Sequence, residues 1–121
     1  QRGCAAADFD HDGRLDLVLT QNRQSTRLLH NRTAKPGLRL NLHGPEGNPR
    51  AVGTVVRAGD GSEWGPVQQV QCGCGYWSVN GTPVVTFHRQ PTKLWLRWPG
   101  GKEQTVDVPS GAKELEVNWS K

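Results

Sequence analysis

Apolar and polar residues alternate with a period of two along much of the chain. Leu38, Leu40 and Leu42 are separated by Arg39 and Asn41, Leu94, Leu96 and Trp98 by Trp95 and Arg97, and Leu115, Val117 and Trp119 by Glu116 and Asn118. That period sends every second side chain to the same face, so each segment predicts a half-buried strand. Residues 15–20 and 84–88 are β-rich as well. Turn clusters at 43–49, 59–62, 80–83, 99–102 and 109–111 supply glycines for positive φ or prolines that end pairing. No stretch longer than a turn shows apolar spacing at i, i+3, i+4, i+7. The pattern predicts an all-β fold, a small antiparallel sandwich or barrel, because a single sheet would leave one apolar face in water.

Composition narrows the class without naming a role. A chain of 121 residues is one domain with at most a short appended element. An apolar fraction of 34% beside 15 glycines is that of a globular protein and disfavours disorder. No apolar run approaches the length needed to cross a bilayer. The net charge of +4 is unevenly placed: residues 1–20 hold four Asp and two Arg, whereas residues 21–57 hold six Arg, one Lys and a single Glu. Arg23, Arg27, Arg32, Lys35, Arg39 and Arg57 make up a candidate polyanion-binding surface, although a solvated basic face is the plainer explanation and nucleic acid is disfavoured. The shift in character near Lys35-Pro36-Gly37 divides the chain into residues 1–34 and 35–121.

The most specific chemistry is Asp8-Phe9-Asp10-His11-Asp12-Gly13-Arg14-Leu15-Asp16. Carboxylates at relative positions 1, 3, 5 and 9 with Gly at 6 can wrap one hard cation in oxygen, because alternate residues of a tight loop point inward and the Gly permits the reversal. Asp8, Asp10, Asp12 and Asp16 are the candidate side-chain ligands, and Arg14 at position 7 offers its backbone carbonyl. A cage built mainly of protein oxygens suits Ca2+ better than Mg2+. An EF-hand would require Glu at position 12 and a following helix. Position 12 is Leu19, inside a strand-like segment, and the EF-hand is excluded. The competing view is an Asp-rich turn whose side chains only cap backbone amides.

Ala7 to Leu19, followed by Leu28-Leu29-His30-Asn31, resembles a repeat of the FG-GAP/VCBS type, the calcium-loop blade of integrin-α-like β-propellers. Asn48-Pro49-Arg50-Ala51-Val52-Gly53, Gly73-Cys74-Gly75-Tyr76-Trp77-Ser78 and Leu94-Trp95-Leu96-Arg97-Trp98-Pro99-Gly100-Gly101 resemble the ASPIC/UnbV domain, with a departure at Phe87-His88-Arg89-Gln90, where that family usually has a Phe-Gly-Leu-Gly-like turn. The resemblance implies the C-terminal part of a larger repeat protein that is extracellular, periplasmic or at the cell surface: a strand pair from a propeller blade appended to a β domain. It also implies a non-enzymatic, calcium-binding structural or interaction module. One repeat cannot bury its own face, so upstream blades of the same parent chain, or another protein, are the expected partners.

Trp64, Trp77, Trp95, Trp98 and Trp119 are many for so short a chain. Trp98 and Trp119 fall with the core-facing residues, whereas Trp95 falls on the opposite face. Trp64 and Trp95 are the candidates for exposure and hence for stacking against a glycan, the alternative function being a carbohydrate-binding module. His11, His30, His43 and His88 show no ligand spacing, and no nucleophile motif or phosphate loop is present, so no catalytic residue is assigned. Cys4, Cys72 and Cys74 lack metal-ligand spacing. They are expected to be structural or free thiols, with Cys72 and Cys74 on one strand face.

Overall fold

A computed structural model describes residues 3–73 and 84–120. Its ten strands are β1 (Gly3–Ala7), β2 (Asp16–Gln21), β3 (Gln24–Leu29), β4 (Arg39–His43), β5 (Val55–Asp60), β6 (Glu63–Gln69), β7 (Val84–Thr86), β8 (Lys93–Arg97), β9 (Glu103–Asp107) and β10 (Glu114–Asn118). No helix occurs among the described residues. They form three open sheets, ordered β1-β2-β3, β10-β4-β7 and β6-β5-β8-β9, so the arrangement is a small sandwich with an appended sheet and not a closed barrel. The appended element is therefore three strands, where the sequence indicated two.

Two sheets share one core. Leu40 and Leu42 of β4, Val85 of β7 and Val117 of β10 face Val56 of β5 and Leu94 and Leu96 of β8, with Leu38, Phe87 and Trp98 closing the layer. The period-two reading is thus met at β4, β8 and β10. Leu38, Leu40, Leu94 and Leu96 are wholly buried, and the Trp98 indole, also buried, donates to Gln104 Oε1 at 3.1 Å. Burying these large side chains contributes about 1.5–3 kcal/mol each before the entropic cost of ordering them. The strict antiparallel expectation fails at one place: β10 pairs with β4 in parallel, Leu115 beside Leu40 and Val117 beside Leu42. The departure at residues 87–90 leaves Phe87 in the core, its amide donating to the Leu38 carbonyl at 2.8 Å.

Close backbone approaches join the first 34 residues to the sandwich. The Gly37 amide donates to the Gly13 carbonyl at 2.9 Å. Gly13 has a φ of +83°, and a side chain there would press on Pro36 and Gly37. A Cβ on Gly37 would stand 1.7 Å from the Phe87 carbonyl oxygen, so only glycine fits.

β6 ends at Gln69, which leaves the exposed Cys72 beyond the strand and not on it. Cys4, on β1, is exposed as well, and no bridge joins the two. Cys74, Trp77 and the Asn80-Gly81 turn lie outside the described residues.

Candidate metal centre

The acidic loop spans the connection between β1 and β2. Its two outermost carboxylates are the buried ones, Asp8 and Asp16. Asp8 closes the loop on itself: Oδ1 accepts from the Asp12 amide at 3.0 Å and Oδ2 from the Gly13 amide at 3.1 Å. Asp16, the first residue of β2, staples the loop to the hairpin. Its Oδ2 accepts from the Phe9 amide at 3.2 Å and its Oδ1 from the Asn31 amide at 2.7 Å. Asn31 itself bridges the Leu15 carbonyl and the Ala34 amide. Buried carboxylates are tolerated here because each meets two backbone donors. At the tip, His11 adopts a φ of 62° and stays exposed.

Asp10 and Asp12 complete the cluster nearer to solvent. One oxygen from each of Asp8, Asp10 and Asp12 lies within 4.8 Å of the others. Two oxygens bound to one calcium at 2.3–2.6 Å can be at most about 5 Å apart, so the three fit a single calcium sphere. Arg14, at the position expected to supply only a carbonyl, does more than that. Its guanidinium reaches back to Asp12 Oδ2 and donates through Nε to the Ala34 carbonyl at 2.6 Å.

The sequence reading missed His30. The β2–β3 hairpin pairs Leu17 with Leu29, which carries His30 alongside Asp16 and over the loop. Its Nε2 lies 2.7 Å from Asp10 Oδ2 and 3.8 Å from Asp12 Oδ2. Extending the hairpin register by one residue was the available signal. Arg39, on β4, approaches Asp8 Oδ2 at 3.7 Å and Glu114 Oε1 at 3.3 Å. Four carboxylates are thus faced by Arg14, His30 and Arg39. Partial desolvation raises the Asp12 carboxyl, but hydrogen bonds from the Arg14 side chain and amide, with the charges of Arg14 and His30, outweigh it and hold Asp12 below 3.8.

Beyond this loop, residues 44–121 match the ASPIC and UnbV family over more than half of the chain. The chain belongs to that family. No curated protein matches it. The match covers β5 to β10, most of the sandwich, while the acidic loop and the first four strands precede it.

Within the ASPIC/UnbV domain, Trp64 and Trp95 are half-buried, less open than the sequence suggested. Both lie on the outer face of the four-stranded sheet, Trp95 opposite Arg57 and Trp64 opposite Gly59. The Trp64 ring rests on Gly59, whose missing side chain makes room for it. Trp64 also walls a cleft of about 730 Å³ between the β5–β6 turn and residues 87–91. The six basic side chains proposed as a polyanion surface do not assemble: Arg39 is engaged by Asp8 and Glu114, and Arg57 lies on the other sheet, hydrogen-bonded to the Gly65 and Trp64 carbonyls. His88 makes no ion pair with Asp60 or Asp107 among the described residues.

Proposed function

We propose that the chain is a non-enzymatic calcium-binding structural module from the C-terminal part of a larger extracellular or periplasmic repeat protein. On this reading residues 1–34 are the tail of an FG-GAP/VCBS repeat and residues 35–121 the ASPIC/UnbV-like domain. The observation that carries it is the convergence of Asp8, Asp10 and Asp12 oxygens within 4.8 Å. Asp16 and the Arg14 carbonyl belong to the same loop. Calcium would take over from Arg14 and His30 as the counter-charge and stiffen the loop. The strands on either side are pinned by Asp16, so their open edges would be held ready for pairing.

Support for upstream propeller blades as partners comes from the first sheet. Every residue of β3 is exposed, and Phe9, Leu15, Leu28 and Leu29 present between 41% and 67% of their surface to water. Leu28 and Leu29, on opposite faces of β3, and Phe9 and Leu15 in the adjoining loop are exposed apolar side chains that suit a covering neighbour.

Calorimetric titration of calcium into chelator-stripped protein, with thermal unfolding in parallel, tests the reading. One site with a Kd of about 10⁻⁴ to 10⁻³ M is expected, and at about 100 times Kd the native state gains about 2.7 kcal/mol. Asp10→Asn keeps the loop amide bonded yet removes a charged ligand, and weakens binding about tenfold or more. No heat and no shift in unfolding temperature at millimolar calcium would overturn it.

A further inference from the structure

The outer face of the β6-β5-β8-β9 sheet is organised in rows. Register places Trp64, Gly59, Lys93 and Asp107 in one row, Val67, Arg57, Trp95 and Thr105 in the next, and Gln69, Val55, Arg97 and Glu103 in the third. The two central strands therefore show only cations, indole and small or aliphatic groups. Lys93 Nζ lies 4.9 Å from the Trp64 ring centre, and the Arg97 guanidinium 5.9 Å from that of Trp95. Arg57 stands between the indoles, its guanidinium anchored by the Gly65 and Trp64 carbonyls at 3.0 and 3.3 Å. Among the described residues none of Arg57, Lys93 and Arg97 has a carboxylate within 4 Å. The acidic groups of the face, Glu103 and Asp107, lie on β9 at its edge, where the Glu103 carboxylate accepts from the Trp95 indole N–H at 3.3 Å.

We propose that this face binds an acidic polysaccharide of the uronate class, with Trp64 and Trp95 stacking on pyranose rings and Arg57 receiving a carboxylate. The strand spacing and rise put the backbones of Trp64 and Trp95 about 12 Å apart, a separation that reaches rings two or three residues apart along one sugar chain. An indole lying against the sheet offers one flat apolar side, which matches the C–H face of a pyranose. Each indole has its own cation, and a polyuronate has one carboxylate on each ring. Indoles alone would serve a neutral glycan; three cations without carboxylate partners select the acid. Nucleic acid would demand a longer run of phosphate contacts than this face offers. None of the candidate calcium ligands belongs to this sheet, so the proposal stands independently of calcium.

The test is titration of hexagalacturonate and its methyl ester into the full chain in chelator, followed by tryptophan fluorescence and calorimetry. Chelator keeps calcium from cross-linking the sugar and separates the result from that of the acidic loop. The acid is expected to saturate with a fluorescence change and to bind about tenfold more tightly than the ester. Trp95→Phe, which preserves an aromatic packing group, should weaken both about tenfold. Arg57→Gln should abolish the preference for the acid and leave ester binding in place. Unfolding temperatures near that of the parent confirm that both variants fold. Absence of binding overturns the proposal, as does affinity for the acid unchanged in both variants. Equal or tighter binding of hexaglutamate or of a thymidine oligonucleotide overturns it in favour of an acidic peptide or nucleic acid.

Discussion

Asp8 Oδ2 lies 3.7 Å from Arg39 Nη1, and the Asp8 side chain is sealed from solvent. This pair couples the acidic loop to β4, the central strand of its sheet. If the loop is mechanically part of the sandwich, Asp8→Asn and Arg39→Met will not add. A double-mutant cycle by urea unfolding is expected to give a coupling of about 0.5–2 kcal/mol. A coupling near zero would mean that the loop rides on the sandwich without sharing its stability.

Asp12 titrates below 3.8 because Arg14 and His30 favour its ionised form. A depressed carboxylate contributes stability that is fully present above the ordinary value and is lost as pH falls through the lowered one. Carboxyl NMR on metal-free protein should place the midpoint of Asp12 below 3.8, and Arg14→Ala should move it upward. A midpoint at or above 3.8 in the parent chain would show that the guanidinium does not hold Asp12 in solution.

Gly37→Ala forces a methyl group to within 1.7 Å of the Phe87 carbonyl oxygen, and neither backbone can yield alone. A loss of about 1–3 kcal/mol or more is expected by chemical denaturation. Phe87 is a core residue, so its near-UV signal environment and that of the buried Trp98 should loosen together. An alanine variant as stable as the parent would mean that the linker takes a different path.

The parts of this fold legible in the sequence are those in which one face is wet and the other dry. β4, β8 and β10 alternate cleanly because each lies over the core on one side only. β3 and β6 carry no such signal: β3 is exposed throughout, and β6 contains Gly65 and Pro66 and bends at a bulge opposite Arg57 and Gly59. Pro66 is tolerated because β6 is an edge strand, where a missing amide need not pair. In the acidic loop, spacing alone marked the four Asp, since the ligand pattern is local. His30 and Arg39 were invisible to spacing. One arrives through a hairpin register and the other through the start of a new sheet, and neither depends on a fixed interval from Asp8.

The parallel pairing of β10 with β4 reaches beyond the final architecture. Glu114 sits beside Arg39 and Asn118 beside His43, partners separated by most of the chain, whereas β1, β2 and β3 are joined by neighbouring hairpins. Contacts between distant residues form slowly because a long loop must close first. During synthesis the acidic loop and its sheet can therefore assemble while β4 still lacks its flank, and the core closes only when the last strand has emerged. The order of events places the charged, loop-bearing sheet before the sealed sandwich.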